Sequence, residues 1–245
     1  MRSRPIENFD LFNNKTFWNL RYTDHPWIGS GPGSRGISAD YKAELLSGLI
    51  RARGIRTIVD VGCGDCCWLN HPALQDCFND RGYLGLDLSE AVIAQNRRRF
   101  PGLSFATFDL LSTPLPMTFD LVICLDVLIH QVDPAAFEIA AKRLVAATRR
   151  HALISCMADP EAAVVEPEVL TAGAAERQAA FRAVLQERQD SFPKAPTIFV
   201  DIVPLIGRLD PTVTIAPVGR FSRQVAYLLS RPERHDATAP AGEAS

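Results

Sequence analysis

The stretch from Thr57 to Leu69, TIVDVGCGDCCWL, decides the fold. Thr57 to Asp60 read as a buried strand, mostly β-branched, which then breaks into glycines. Gly62 and Gly64 let the backbone turn sharply and approach a ligand with no Cβ in the way. Asp60 sets a carboxylate just before the turn, at the carboxyl end of the strand, where open α/β sheets bind ligands. A second strand, Tyr83 to Leu86, ends in Asp87, at a spacing suited to holding a ribose hydroxyl pair. Together these features predict a nucleoside-containing cofactor on an α/β sheet.

The charge of the turn narrows the choice. A dinucleotide site wants G-x-G-x-x-G, with phosphate on the helix N-terminus. Here Gly62-Cys63-Gly64-Asp65-Cys66-Cys67 lacks the third glycine, and Asp60 and Asp65 repel a pyrophosphate. A cofactor carrying an ammonium and a sulfonium is favoured by the same carboxylates. The segment VDVGCG accordingly resembles motif I of class I S-adenosylmethionine-dependent methyltransferases, (D/E)-x-G-x-G-x-G, with Cys66 where the family has its third glycine.

The resemblance continues in order along the chain. LGLDLS, Leu84 to Ser89, looks like the family's second motif, which implies that Asp87 holds the ribose. Asp109, after a third strand at Leu103 to Phe108, matches the acidic residue that meets the adenine amino group. FDLVICLDVLIHQV, Phe119 to Val132, resembles the fourth-strand signature with its nearby histidine. The resemblance implies a doubly wound, mostly parallel, seven-stranded Rossmann-like sheet, with the last strand antiparallel beside the fifth. It implies S-adenosylmethionine as cofactor and S-adenosylhomocysteine as product. The implied cofactor set is Trp18, Arg21, Asp60, Gly62, Cys63, Gly64, Asp87, Leu88, Asp109, Leu110 and Leu125.

Length and composition set the bounds. At 245 residues, 47% hydrophobic and 22% charged, the chain suits one α/β domain with insertions. A net charge of −2 gives no general attraction to nucleic acid or anionic membranes. No apolar run approaches the ~20 residues needed to cross a bilayer, and the N-terminus lacks the apolar core of a secretory signal. Six cysteines without a secretory context point to reduced thiols in the cytoplasm. A homodimer is left open.

Residues 1–37 read as an N-terminal lid or arm, 38–230 as the cofactor-binding domain and 231–245 as a polar, disordered tail. In the lid, Phe9, Phe12, Phe17, Trp18, Tyr22 and Trp27 crowd together ahead of the glycine-rich GSGPGSRG. Its functional reading is a cover over the cofactor, with Arg21 and the loop amides meeting a carboxylate; the bland one is a packing arm. Ser38 is expected to cap a helix to about Arg53, with Tyr41, Leu45, Leu46 and Leu49 on one face. Ser89 caps the next helix, and Asp133-Pro134 opens a helix from Ala135 to Arg149. The Arg97–Arg99 run reads as a solvated surface. Residues 158–196 are an insertion beside the active-site rim that shapes the substrate pocket.

Methyl transfer to a hydroxyl needs alignment and a base. His130, just past the fourth strand, is the catalytic candidate, set against a histidine that only braces the loop. Asp126 is the second, as base or as the group that orients substrate or His130; capping of the turn is the alternative. Cys63, Cys66 and Cys67 form no zinc set, because no second pair follows at a suitable spacing, so no metal is expected. The expected function is methyl transfer to an oxygen or nitrogen of a small molecule, a saccharide or secondary metabolite. A nicotinamide-dependent oxidoreductase, a nucleic-acid methyltransferase and a non-catalytic cofactor-binding protein are the competitors.

Overall fold

The structure, a computed structural model, describes residues 12–79, 81–159, 194–221 and 223–232, together with positions 176, 179 and 183. Most of the insertion expected at 158–196, the first eleven residues of the lid and the tail beyond Pro232 lie outside the described residues.

An N-terminal helix α1 (Asn14–Asp24) leads through a glycine-rich loop into α2 (Gly36–Ala52). Strands β1 (Thr57–Val61) and β2 (Gly82–Asp87) follow, then α3 (Glu90–Arg99) and β3 (Ser104–Thr107). After β4 (Phe119–Cys124) comes a short 3-10 turn, Leu128–His130, and α4 (Pro134–Ala147) runs directly into β5 (Thr148–Met157). Helix α5 (Ile202–Leu209), β6 (Thr214–Phe221) and β7 (Gln224–Ser230) complete the described elements.

The seven strands form one sheet in the order β3-β2-β1-β4-β5-β7-β6. The expectation of a mostly parallel sheet needs correction, because the sheet is mixed. Pairings from β3 across to β5 are parallel, whereas β7 is antiparallel to both β5 and β6. The cause is local: Phe221 pairs with Gln224, so β6 and β7 form a tight hairpin, and a short hairpin can only join antiparallel strands. Placement of the last strand antiparallel beside the fifth agrees with expectation.

Side-chain alternation divides the core between the two faces of the sheet. Val59, Val61, Val122 and Cys124 face α4 and α5, against Phe137, Ala140, Leu144 and Leu205. Ile58, Leu121 and Ile123 face the other side, against Ala43, Leu46, Ile50, Val92 and Ile93. The α4 stripe is the one its 3.6-residue period predicts. Helix α2 is shifted: it starts at Gly36 rather than after Ser38, and its buried stripe is Ala39, Ala43, Leu46 and Ile50. Ser38 therefore lies inside the helix, and the cap position, Arg35, makes no side-chain cap bond. Ser89 and Asp133 cap α3 and α4 as expected, accepting from Val92 N and Ala135 N. The arginine run is not simply solvated, since Arg97 donates to Phe105 O at 2.7 Å and Arg99 to Asp65 O at 3.3 Å.

Strand order reverses between β1 and β4, which opens a crevice at their carboxyl ends. At the opposite end, Asp120 fixes the register of β4 against β1. Its carboxylate accepts from Arg56 N at 2.9 Å, Thr57 N at 3.1 Å and Arg149 Nη2 at 2.7 Å. Asp120→Ala strands two backbone donors, so urea unfolding should show a loss of about 2 kcal/mol; an unchanged midpoint would show those amides satisfied by water.

Candidate active site

The turn after β1 is built by hydrogen bonds that only this backbone path allows. The amides of Gly62 and Cys63 both donate to Leu86 O, at 2.7 and 2.9 Å. Gly62 and Gly64 lie at φ +77° and +53°, in the left-handed region. A Cβ at Gly62 would come within 2.2 Å of the Val127 side chain, and one at Gly64 within 2.3 Å of Ser30 Oγ. Cys66, where the third glycine was missed, is itself left-handed at φ 49°. The backbone thus keeps the shape that a third glycine would serve, and a small side chain tolerates it. Asn96, from α3, clamps the turn by donating to Gly64 O at 2.6 Å.

Helix α1 and its loop close over this turn. Asn14 Nδ2 donates to His130 O at 2.9 Å, and the Trp18 and His130 rings meet edge-on with centroids 5.2 Å apart. Tyr22 Oη lies 2.8 Å from Ser30 Oγ, and Ser30 N donates to Asp65 Oδ2 at 3.1 Å. Arg35 forms an ion pair with the same carboxylate. Burial pushes the Asp65 carboxyl up, but Arg35 and the Ser30 donors outweigh it and hold it below the ordinary carboxylate value. Arg21 departs from its expected place: it is absent from the cavity lining and donates from Nε to Gly29 O at 2.9 Å. With its guanidinium 5.0 Å from the Trp18 ring centroid, it props the loop instead.

Beneath this cover lies a cavity of about 330 Å³ at the strand reversal. Apart from Arg21, every residue singled out from the sequence lines it. On the glycine side these are Trp18, Asp60, Gly62, Cys63 and Gly64; on the strand ends, Asp87, Leu88, Asp109, Leu110, Leu125, Asp126 and His130.

The acids differ sharply in setting. Asp60 is buried and accepts from Tyr83 Oη at 2.9 Å; burial pushes its carboxyl up to about 7. Asp87 accepts from Gly64 N at 3.0 Å and Ser89 N at 2.9 Å, yet burial still pushes it up to about 6. Asp109 accepts from Leu111 N at 2.8 Å and Ser112 Oγ at 2.5 Å. Asp126, left-handed at φ +61°, forms an ion pair with Lys42 and accepts from Gln224 Nε2 at 2.6 Å. Its carboxylate is thus engaged on both oxygens, which speaks against its use as a free base. His130 Nδ1 meets Pro196 O at 2.8 Å; with the carbonyl taking the Nδ1 proton, Nε2 keeps its lone pair. Burial lowers its proton affinity, so the imidazole is neutral at pH 7.

Lys42, Ser155 and Gln224 were missed in the sequence. Lys42 carries no local sign of burial, yet its side chain is only 2% exposed. Ser155 and Gln224 left a fainter signal, as polar residues at the ends of otherwise apolar strands. All six cysteines are unpaired thiols, and all but Cys67 are buried. Among the described residues, no group of three or more His, Cys, Asp or Glu side chains could hold a metal ion. No helix among them is long and apolar enough to cross a membrane.

Residues 58–151 match a family model described as a methyltransferase domain. No curated protein sequence matches the chain. Solved structures do. The magnesium protoporphyrin IX methyltransferase of Synechocystis PCC 6803, with bound S-adenosylhomocysteine, has a TM-score of 0.58 at 21% identity, covering 89% of this chain and 98% of that one. A sugar N-methyltransferase from Streptoalloteichus sp ATCC 53650 has a TM-score of 0.56 at 17% identity, covering 95% and 98%. An amino pentose methyltransferase from Micromonospora echinaspora, with bound S-adenosylmethionine, has 0.54 at 19%, covering 80% and 92%. Residues 58–151 thus resemble a methyltransferase domain, and the chain shares the fold of these S-adenosylmethionine-binding structures.

The raised carboxyls of Asp60 and Asp87 make the stability of the protein sensitive to pH. A carboxyl whose folded value lies above its ordinary 3.8 costs stability once it must ionise. That cost is absent below about pH 4 and complete above about pH 7. Thermal melts should therefore show Asp60→Asn gaining on the wild type between pH 4 and 7 and levelling off above. A constant difference across that range would contradict the assignment.

Proposed function

We propose that this protein is an S-adenosylmethionine-dependent methyltransferase acting on an oxygen or nitrogen of a small molecule, a saccharide or a secondary metabolite. The observation that carries the reading is the cavity at the strand reversal, where Asp60, Asp87 and Asp109 sit at successive strand ends under an aromatic cover. Asp60 and Asp87 are buried carboxylates whose raised affinity for protons marks a site short of positive charge. An ammonium and a sulfonium supply that charge, whereas a pyrophosphate would worsen its lack. The glycine turn leaves the Gly62 and Gly64 backbone open to the cavity, with no room for a Cβ. On both counts the residues present fit the cofactor.

In this reading Asp87 takes the ribose hydroxyls and Asp109 with Leu110 the adenine. Asp60 and the Gly62–Gly64 backbone take the amino-acid end, while Leu88, Leu125, Cys63 and Trp18 supply apolar walls. When bound, the cofactor offers a methyl group on a positively charged sulfur. His130 acts on the acceptor: its neutral imidazole, fixed by Pro196 O, receives the acceptor's proton at Nε2. Trp18, edge-on to that ring, excludes water from it. Asp126 serves as a brace rather than a base, and Arg21 holds the covering loop. The segment 158–196 forms the substrate side of the pocket, and residues 1–37 act as the lid. Relatives in fold that act on an amino pentose or a sugar support a small polar acceptor over nucleic acid.

Calorimetric titration tests this directly. S-adenosylmethionine and S-adenosylhomocysteine should bind at micromolar concentration, NAD⁺ should not, and Asp87→Ala should weaken binding at least tenfold. In a screen of hydroxyl and amine acceptors, His130→Ala should slow turnover about 10²- to 10⁴-fold with cofactor affinity retained. Well-folded protein that binds neither adenosyl compound would sink the proposal; binding without turnover on any acceptor would favour a non-catalytic role.

A further inference from the structure

A closed ring of hydrogen bonds surrounds Asp126 and ties together elements far apart in the chain. Asp126 N donates to Ser155 Oγ at 2.8 Å, on β5. Ser155 Oγ donates to Gln224 Oε1 at 2.8 Å, at the start of β7. Gln224 Nε2 returns to Asp126 Oδ1 at 2.6 Å. The other carboxylate oxygen accepts from Ser34 Oγ at 3.3 Å and pairs with the Lys42 ammonium. Lys42 also donates to Gly33 O at 2.5 Å and lies 4.7 Å from the Phe221 ring centroid. A buried lysine with every contact inside the protein is costly unless its charge has work to do.

That work concerns the turn that follows. Asp126 is left-handed, which is unfavourable for any residue with a Cβ, and it redirects the chain from β4 into the 3-10 turn ending at His130. We propose that Lys42, Ser155 and Gln224 are positioning residues: they hold Asp126 in the turn that presents His130 to the cavity, and the Lys42 ammonium offsets part of the charge that Asp126 places near the imidazole. The inference rests on His130 being the base.

Two functions follow from one arrangement. The ring fixes where His130 stands, because each donor in it is matched to one acceptor and a flipped Gln224 amide would break two bonds. Asp126 also bears on how readily His130 takes a proton, behind burial and the Pro196 carbonyl. Among charged groups, Asp126 raises that affinity and Arg21, from α1, lowers it. Lys15 on α1, Asp133 at the start of α4 and the strand-end Asp60, Asp65, Asp87 and Asp109 line the same cavity.

The test is an NMR titration of the His130 ring in the full-length protein, which needs no acceptor. Lys42→Met leaves Asp126 unbalanced and should raise the His130 midpoint by about one pH unit. Asp126→Asn removes the charge while keeping one acceptor oxygen, and should lower the midpoint below that of the wild type. The double variant removes both charges and should place the midpoint between those of the two single variants. Gln224→Leu leaves both charges in place and should weaken the Trp18–His130 ring contacts seen by nuclear Overhauser effects. Should Lys42→Met fail to fold, Asp126→Asn decides the electrostatic half and Gln224→Leu the positional half. Midpoints that do not move, or ring contacts unchanged in Gln224→Leu, overturn the corresponding half. S-adenosylhomocysteine titrated into the same samples separates the two readings: no binding to wild type retires the cofactor, and leaves the His130 result standing.

Discussion

The amides of Gly62 and Cys63 converge on a single carbonyl, Leu86 O, and most of the site hangs from that convergence. It carries the β1–β2 pairing one step past the strand ends and forces the chain into a left-handed turn. The next amide, Gly64 N, is then aimed at the Asp87 carboxylate. One acid becomes part of the scaffold while still facing the cavity. Because the turn is tight, Val127 and Ser30 can close against it from opposite sides. Remove the convergence and neither the cover nor the acids have a fixed place.

The price of such a site is charge held out of water. Asp65 has Arg35 and Asp126 has Lys42, but among the described residues no ion pair is formed with Asp60 or Asp87. Tyr83 and backbone amides stabilise them only in part, and their raised proton affinity measures the shortfall. A cationic ligand makes up that difference, so affinity for it is prepared before it arrives. In the cover, by contrast, Arg35 is paired with Asp65 and Arg21 donates to Gly29 O.

What could be read from the sequence was whatever repeats with a short period or sits at a strand end. Alternation along β1 and β4, the Phe137–Val145 stripe, and the caps at Ser89 and Asp133 were all legible. So were Asp60, Asp87, Asp109 and His130, since a strand end is a local event and the sheet brings strand ends together. Arg21 was misread because its type and position suited a carboxylate, while its partner, Gly29 O, is a backbone atom with no sequence signature. The start of α2 was placed three residues late because Ser38 is a better cap than Arg35 by type, but Arg35 is drawn away to Asp65. Lys42, Ser155 and Gln224 escaped because their meeting depends on contacts 84 and 98 residues apart, which no local pattern encodes.

Strand β7 is nearly the last described segment to be synthesised, yet it is not at the edge of the sheet. It slides between β5 and β6, so until it arrives β5 presents an open hydrogen-bonding edge. Its first residue, Gln224, also supplies the link that closes the ring around Asp126. A nascent chain that has made everything through β5 can already shape the cofactor crevice, since β1, β2 and β4 are in place. It cannot yet close the ring that holds the Asp126 turn. On the ribosome, then, the crevice can be shaped before the Asp126 turn is held, and the final hairpin closes the ring only when the fold is complete.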